Sequence, residues 1–176
     1  MSEHIAMDAR AVEQAVERMA REIQERARGG ELAIVGIRRG GVHLAGRLRR
    51  ALAATGREPP LGTLDIALYR DDLSERAPAP VVGPTEIPFP VTGKTIALVD
   101  DVLYTGRTVR AALDELVDFG RPRRVLLAVL VDRGGRELPI AADVVGATLA
   151  VPEAEQVEVR LAESGAPRDE VVVQRR

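Results

Sequence analysis

Hydrophobic residues fall along this chain in two rhythms, and each rhythm predicts an element. After Asp8, which suits a helix N-cap, Val12, Val16, Met19, Ile23 and Ala27 recur at helical spacing until Gly29-Gly30 interrupts them. That pattern predicts an amphipathic helix. Leu32 to Ile37 (LAIVGI) is instead continuously apolar, as a strand covered on both faces must be. A loop from Arg38 to Gly41 leads into a second helix carrying Leu44, Leu48 and Leu52, which ends by Gly56. A third apolar run, Leu61 to Tyr69, enters a polar stretch from Arg70 to Gly93 that holds Pro78, Pro80, Pro84, Pro88 and Pro90. A connection this long inside a compact domain reads as either a functional lid or a disordered segment.

The second half repeats the scheme. Thr95 to Asp100 predicts another buried strand, followed by a helix with Val109, Ala112, Leu113 and Leu116 on one face, closed by Gly120 and Pro122. Arg124 to Asp132 is a further apolar strand. Buried strands alternating with helices need crossover connections, so the fold class is α/β, a central mostly parallel sheet flanked by helices. The tail differs. Asp143–Leu149, Val157–Leu161 and Glu170–Gln174 are short strand-like runs broken by Pro152 and by Ser164–Asp169, which predicts a small C-terminal antiparallel β appendage or a sheet edge. One domain over residues 1–176 accommodates all of this.

Composition narrows the chemistry. Aromatics make up 2% of the 176 residues and Trp is absent, so stacking platforms for single-stranded bases have little to be built from. Twenty-five basic against 27 acidic residues leave a net charge of −2, which puts any RNA site in a local patch. Without Cys there is no disulfide, thiolate metal site or Cys nucleophile, and two His argue against a His-rich metal cluster. Lys94, the sole lysine, lacks the upstream glycine spacing of a Walker A loop. No basic leader precedes an apolar run and no apolar stretch is long enough for a membrane span, so a cytoplasmic protein with no membrane partner is expected.

The informative segment is Ile96–Thr108, IALVDDVLYTGRT. Ligands of open α/β sheets bind beyond the carboxyl ends of the strands, where Asp100 and Asp101 are expected. A helix N-terminus offers unpaired N–H groups and the positive end of a dipole, so the turn Thr105-Gly106-Arg107-Thr108 can cradle a phosphate. Carboxylates beside a phosphate should accept hydrogen bonds from sugar hydroxyls or sit near a divalent cation. Together they suggest a ribose 5-phosphate site.

The whole string resembles the phosphoribosyl-pyrophosphate (PRPP) motif of the type I phosphoribosyltransferases, and within them the PyrR family of pyrimidine operon regulators and uracil phosphoribosyltransferases. Leu64–Ser74, Ile87–Phe89, Gly120–Ile140 and Ala142–Gly146 carry the resemblance further along the chain. It implies the type I phosphoribosyltransferase fold, with the Pro-rich lid and the C-terminal appendage as a hood. It also implies conversion of uracil and PRPP to UMP and pyrophosphate with Mg²⁺, and regulation through leader RNA when UMP or UTP is bound. A homo-oligomer, dimer or higher, is part of the same expectation. By this likeness the PRPP motif spans Asp100, Asp101, Val102, Leu103, Tyr104, Thr105, Gly106, Arg107 and Thr108. Arg38, Arg39, Gly40 and Gly41 match the pyrophosphate loop, and Arg70 pairs with the leaving pyrophosphate. Val131, Asp132 and Arg133 lie where the base is held. No direct metal ligand is implied beyond Asp100 or Asp101, the Mg²⁺ arriving with PRPP.

Departures from the family pattern fall mainly on the RNA side. Gly135, Ala141 and Ala147 replace a His, an Arg and a Lys, and Glu17 adds a carboxylate, which leaves Arg18, Arg21 and Arg136 as the candidate RNA contacts. Arg39-Gly40-Gly41 also stands where many members read Thr-Arg-Gly. Two other readings remain open at this point: a nucleotide-sensing RNA-binding regulator with little catalysis, and a phosphoribosyltransferase for another base such as a purine.

Overall fold

The computed structural model describes residues 2–71 and 85–176. The middle of the Pro-rich stretch, and with it most of the expected lid, lies outside the described residues. Elements run β1 (Glu3–Met7), α1 (Ala9–Arg26), β2 (Leu32–Ile37), α2 (Gly40–Ala53), β3 (Leu61–Leu64), β4 (Thr95–Leu103), α3 (Arg107–Leu116), β5 (Arg124–Asp132), β6 (Val144–Thr148), β7 (Glu155–Arg160) and β8 (Glu170–Arg175).

Five strands form a parallel sheet in the order β3-β2-β4-β5-β6. Alternate residues of its strands point to opposite faces, and each face has its own apolar cluster. Ile34, Ala97, Val99, Ala128 and Leu130 pack with Val12, Met19 and Ile23 of α1 and Leu44, Leu48 and Leu52 of α2. Val35, Ile96, Leu98, Leu127 and Val129 pack with Val109, Ala112 and Leu116 of α3. The strands are buried on both sides, which is why they read as unbroken apolar runs. Asp8 caps α1 as expected, its Oδ1 accepting from the Ala11 N–H at 2.8 Å.

Three boundaries differ from the sequence reading. The run Leu61–Tyr69 is a strand only to Leu64, because Asp65 turns the chain: its Oδ1 accepts from the Ala67 N–H at 2.9 Å. β4 continues past Asp100 to Leu103, held in register with β5 by the pairs Val102–Val131 and Leu103–Asp132. α2 begins at Gly40, so half of the expected loop Arg38–Gly41 is already helix.

The tail also divides differently. β6 joins the main sheet as a parallel edge strand, while β7 and β8 form a separate antiparallel sheet in the order β1-β8-β7. The hood is therefore built from both ends of the sequence and not from the C-terminal part alone. Arg47 of α2 clasps it, donating to Asp169 at 2.6 and 2.8 Å and to Glu163 at 2.8 Å. No helix among the described residues is long and apolar enough to cross a membrane.

Candidate active site

Chain order and strand order together fix where the site must be. From β2 the chain moves outward to β3, and from β4 it moves the opposite way to β5 and β6, so the direction reverses between β2 and β4. A crevice opens at the carboxyl ends of the strands at such a reversal. The segments flanking it are Arg38–Gly41 after β2 and Asp100–Thr108 at the end of β4.

These two segments are in contact. A Cβ on Gly40 would overlap the carboxylate of Asp101, and one on Gly41 would overlap the carbonyl oxygen of Val99. The N-terminus of α2 can thus lie against the acid pair only because both residues lack side chains. Asp100 is 6% exposed, and its Oδ1 accepts from the Asp101 N–H at 2.9 Å. Burial pushes its carboxyl well above the usual carboxylate range, and the neighbouring Asp101 charge pushes it further. The Oδ1 of Asp101 accepts from the Val102 N–H at 2.8 Å.

The Thr105–Thr108 turn sits at the start of α3. Gly106 has φ +92° at the N-cap, a left-handed conformation that favours glycine. The Thr105 hydroxyl accepts from the Arg107 N–H at 3.2 Å, and its carbonyl accepts from the N–H groups of Glu137 and Leu138 at 2.9 and 3.1 Å. The turn is therefore fixed before a ligand arrives. Arg107 donates to carboxylates of Asp71 and, at 3.0 Å, Glu137, which a bound phosphate would have to rival. Sequence reasoning missed both acids, since each lies far from Arg107 along the chain.

Of the other expected residues, Val102, Tyr104 and Thr105 are half-buried around this turn, Leu103 is buried, and Thr108 is exposed. Arg38 is half-buried, its N–H donating to the Leu64 carbonyl at 2.8 Å, and Arg39 is exposed beside it. Arg70 is half-buried where the Pro-rich stretch begins.

The expected base-binding residues occupy unlike surroundings. Val131 is fully buried in the core. Asp132 is half-buried, with Oδ2 accepting from Arg136 at 2.7 Å and Oδ1 from the Gly134 N–H at 3.0 Å. Arg133 is only 4% exposed, and its guanidinium is taken up by the carbonyls of Val151, Pro152 and Glu155. Its side chain thus ties the end of β5 to the segment that leads into the hood. An open cavity of about 720 Å³ lies alongside, between Asp132–Gly134, Arg136 and Thr148–Pro152.

The expected RNA contacts are likewise divided. Arg136 bonds the carbonyls of Ile140 and Tyr104 and the carboxylate of Asp132, so its donors are committed within the fold. Arg18 donates to the Gly146 carbonyl, tying α1 to β6, and Arg21 is exposed on α1. Among the described residues, no group of three or more His, Cys, Asp or Glu converges as a metal site. Asp100 and Asp101 nevertheless supply the oxygen donors that a hard cation such as Mg²⁺ prefers, provided that other ligands come with it.

An acid pair and a glycine turn opening a helix lie at the switch point of a parallel sheet, and the phosphoribosyl transferase domain family matches residues 6–161 of this chain. The Trypanosoma cruzi hypoxanthine phosphoribosyltransferase superposes with a TM-score of 0.74 at 18% identity, over 97% of this chain and 95% of that one. A Bacillus anthracis hypoxanthine-guanine phosphoribosyltransferase gives 0.72 at 18% identity, over 96% and 95%. At that identity the likeness concerns fold alone. Closer relatives are the bifunctional protein PyrR of Roseiflexus, 53% identical over 99% of this chain and 97% of its own length, and that of Thermus thermophilus, 56% identical over 89% and 88%. The chain belongs to the PyrR family.

Proposed function

We propose that the protein transfers the phosphoribosyl group of PRPP to uracil, giving UMP and pyrophosphate, and that it acts as a nucleotide-dependent regulator of pyrimidine gene expression in the cytoplasm. The observation that carries the enzymatic reading is the contact of Gly40 and Gly41 with Val99 and Asp101 at the switch point, beside the preformed Thr105–Thr108 turn. The choice of uracil rests on the relatives at 53% and 56% identity, whose bifunctional name also supports the regulatory half.

The roles follow from position. Asp100 and Asp101 accept hydrogen bonds from the ribose hydroxyls, and the start of α3 with Thr105 and Thr108 holds the 5-phosphate. Backbone N–H groups at Arg39–Gly41, with Arg38 and Arg70, receive the pyrophosphate. The bond from the anomeric carbon to pyrophosphate breaks as the bond to the uracil nitrogen forms, and that nitrogen gives up its proton to the departing pyrophosphate or to water. Orientation and stabilisation of the leaving group supply the rate, so no nucleophilic side chain is required. Mg²⁺, bound with PRPP and held on the protein side by Asp100 or Asp101, would neutralise charge on the leaving pyrophosphate.

The test is to follow UMP formation from uracil, PRPP and Mg²⁺, with hypoxanthine as the competing base. Uracil turnover is expected. Turnover of hypoxanthine alone would transfer the assignment to a purine enzyme, and turnover of neither would leave only the regulatory reading.

A further inference from the structure

Arg133 is a buried cation with an unusual set of neighbours. Nη1 donates to the Glu155 carbonyl at 2.9 Å, and Nη2 donates to those of Val151 and Pro152, both at 3.2 Å. Its guanidinium carbon lies 3.9 Å from the centre of the Tyr104 ring, and its buried Nε has no hydrogen-bond partner. No carboxylate forms an ion pair with it among the described residues. Burying a charge is costly unless dipoles or a π face answer it, and here neutral carbonyls and one ring do so.

The groups answering that charge come from two bodies. Val151 and Pro152 belong to the crossing from the main sheet to the hood and Glu155 opens β7, whereas Tyr104 follows β4 in the PRPP segment. Tyr104 is fixed from its other side too, because its carbonyl accepts from Nη1 of Arg136 at 2.9 Å. A cavity of about 720 Å³ opens beside this junction, lined by Asp132–Gly134, Arg136 and Thr148–Pro152.

We propose that Arg133 is a positioning residue for the base. It fixes the segment 151–155 at a set height over the PRPP segment, so the gap that receives the planar base is formed before the base binds. This rests on the transferase reading given above. The phosphate cradle is held separately, through the Thr105 carbonyl and the N–H groups of Glu137 and Leu138, so the effect of Arg133 should concentrate on the base and not on PRPP.

Arg133→Met and Arg133→Lys test this beside Glu163→Gln, which loosens the same hood from α2 without touching the gap. In Arg133→Met the KM for uracil should rise about tenfold or more, as expected for the loss of hydrogen bonds to a charged group. The KM for PRPP should change by less than about threefold, with Arg133→Lys intermediate because it keeps the charge but not the fork. Glu163→Gln should leave both constants near wild type. Amide exchange should quicken across 151–156 in Arg133→Met. A folded Arg133→Met protein with a wild-type KM for uracil would overturn the proposal, as would equal rises for uracil and PRPP, or the same rise in Glu163→Gln. If the wild type turns over no uracil, the transferase reading fails by itself. UMP binding together with exchange at 151–156 then decides on Arg133: unchanged values in Arg133→Met would refute it.

Discussion

At the scale of single residues, the site places charge where folding alone would not. Asp100 is buried beside a second carboxylate, and its raised pKa means that ionising it in the folded state opposes stability. For an acid with a raised pKa, this cost is absent at pH values below the unfolded pKa and grows as pH rises toward the folded one. Asp100→Asn should therefore unfold at a higher temperature than wild type near neutral pH, by about 2–4 °C for each kcal/mol relieved, while PRPP turnover falls steeply. A lower melting temperature would mean that the carboxylate stabilises the empty protein. Arg107 poses the converse case, a cation already engaged by Asp71 and Glu137 beside the turn proposed for the 5-phosphate. Neutralising both acids in Asp71→Asn with Glu137→Gln should lower the KM for PRPP several-fold, because two weak exposed pairs no longer compete with the incoming phosphate. An unchanged or raised KM would show that the acids orient the arginine instead of competing for it. The substitution pattern at 135 also becomes clear at this scale. Gly135 has φ +80°, and a Cβ there would overlap the Tyr104 ring, so a His would not fit beside this tyrosine as it stands.

At the scale of elements, the close approach of α2 to β4 sets the geometry of the crevice. Gly41→Ala puts a methyl into the Val99 carbonyl, which belongs to the sheet and cannot swing aside. Overpacking of this kind typically costs about 1–3 kcal/mol, and the helix start should move off the acid pair, so both stability and PRPP turnover should fall. An active, stable Gly41→Ala variant would place the pyrophosphate loop elsewhere. Much of this layer was legible in the sequence: LAIVGI matches β2 at both ends because burial on two faces leaves no polar residue to blur them. Asp8 and the 3.6-residue spacing after it likewise located α1. The failures have physical causes as well. β1 is five residues long and mostly exposed, so it carries no apolar run, and its pairing with β8 is a distant contact that no local pattern records. Leu61–Tyr69 looked continuous because the turn at Asp65 is made by one side chain amid apolar neighbours. The acid pair and the TGRT turn were readable because they are contiguous. The roles of Arg133 and Arg136 were not, since their acceptors at 151–155 and 104 meet them only after folding.

At the scale of the whole molecule there are two sheets, the parallel one carrying the acid pair and the Thr105–Thr108 turn and the antiparallel one built from both ends of the sequence. The Arg47 clasp joins them, and the guanidinium holds the carboxyl of Glu163 at a pKa of about 2 and that of Asp169 below its usual range. For acids with lowered pKa values, the stabilisation is complete above the ordinary carboxylate pKa and is lost as pH falls through the folded one. Acid should thus release the hood between about pH 4.5 and 2. Arg47→Met should move the acid unfolding of β7 and β8 to higher pH without moving that of the main sheet, and coincident shifts would mean that the two sheets unfold as one unit. The hood also carries a cost in time. Glu3 pairs with Gln174 and Ile5 with Val172, so the strand that comes first cannot find its neighbour until the other end of the sequence is present. Closing the largest loop in the molecule is slow work for a polypeptide, whereas β2 and β3 meet across α2 alone. The parallel sheet should consequently gain protection from hydrogen exchange early in refolding, with the antiparallel sheet of β1, β8 and β7 arriving last.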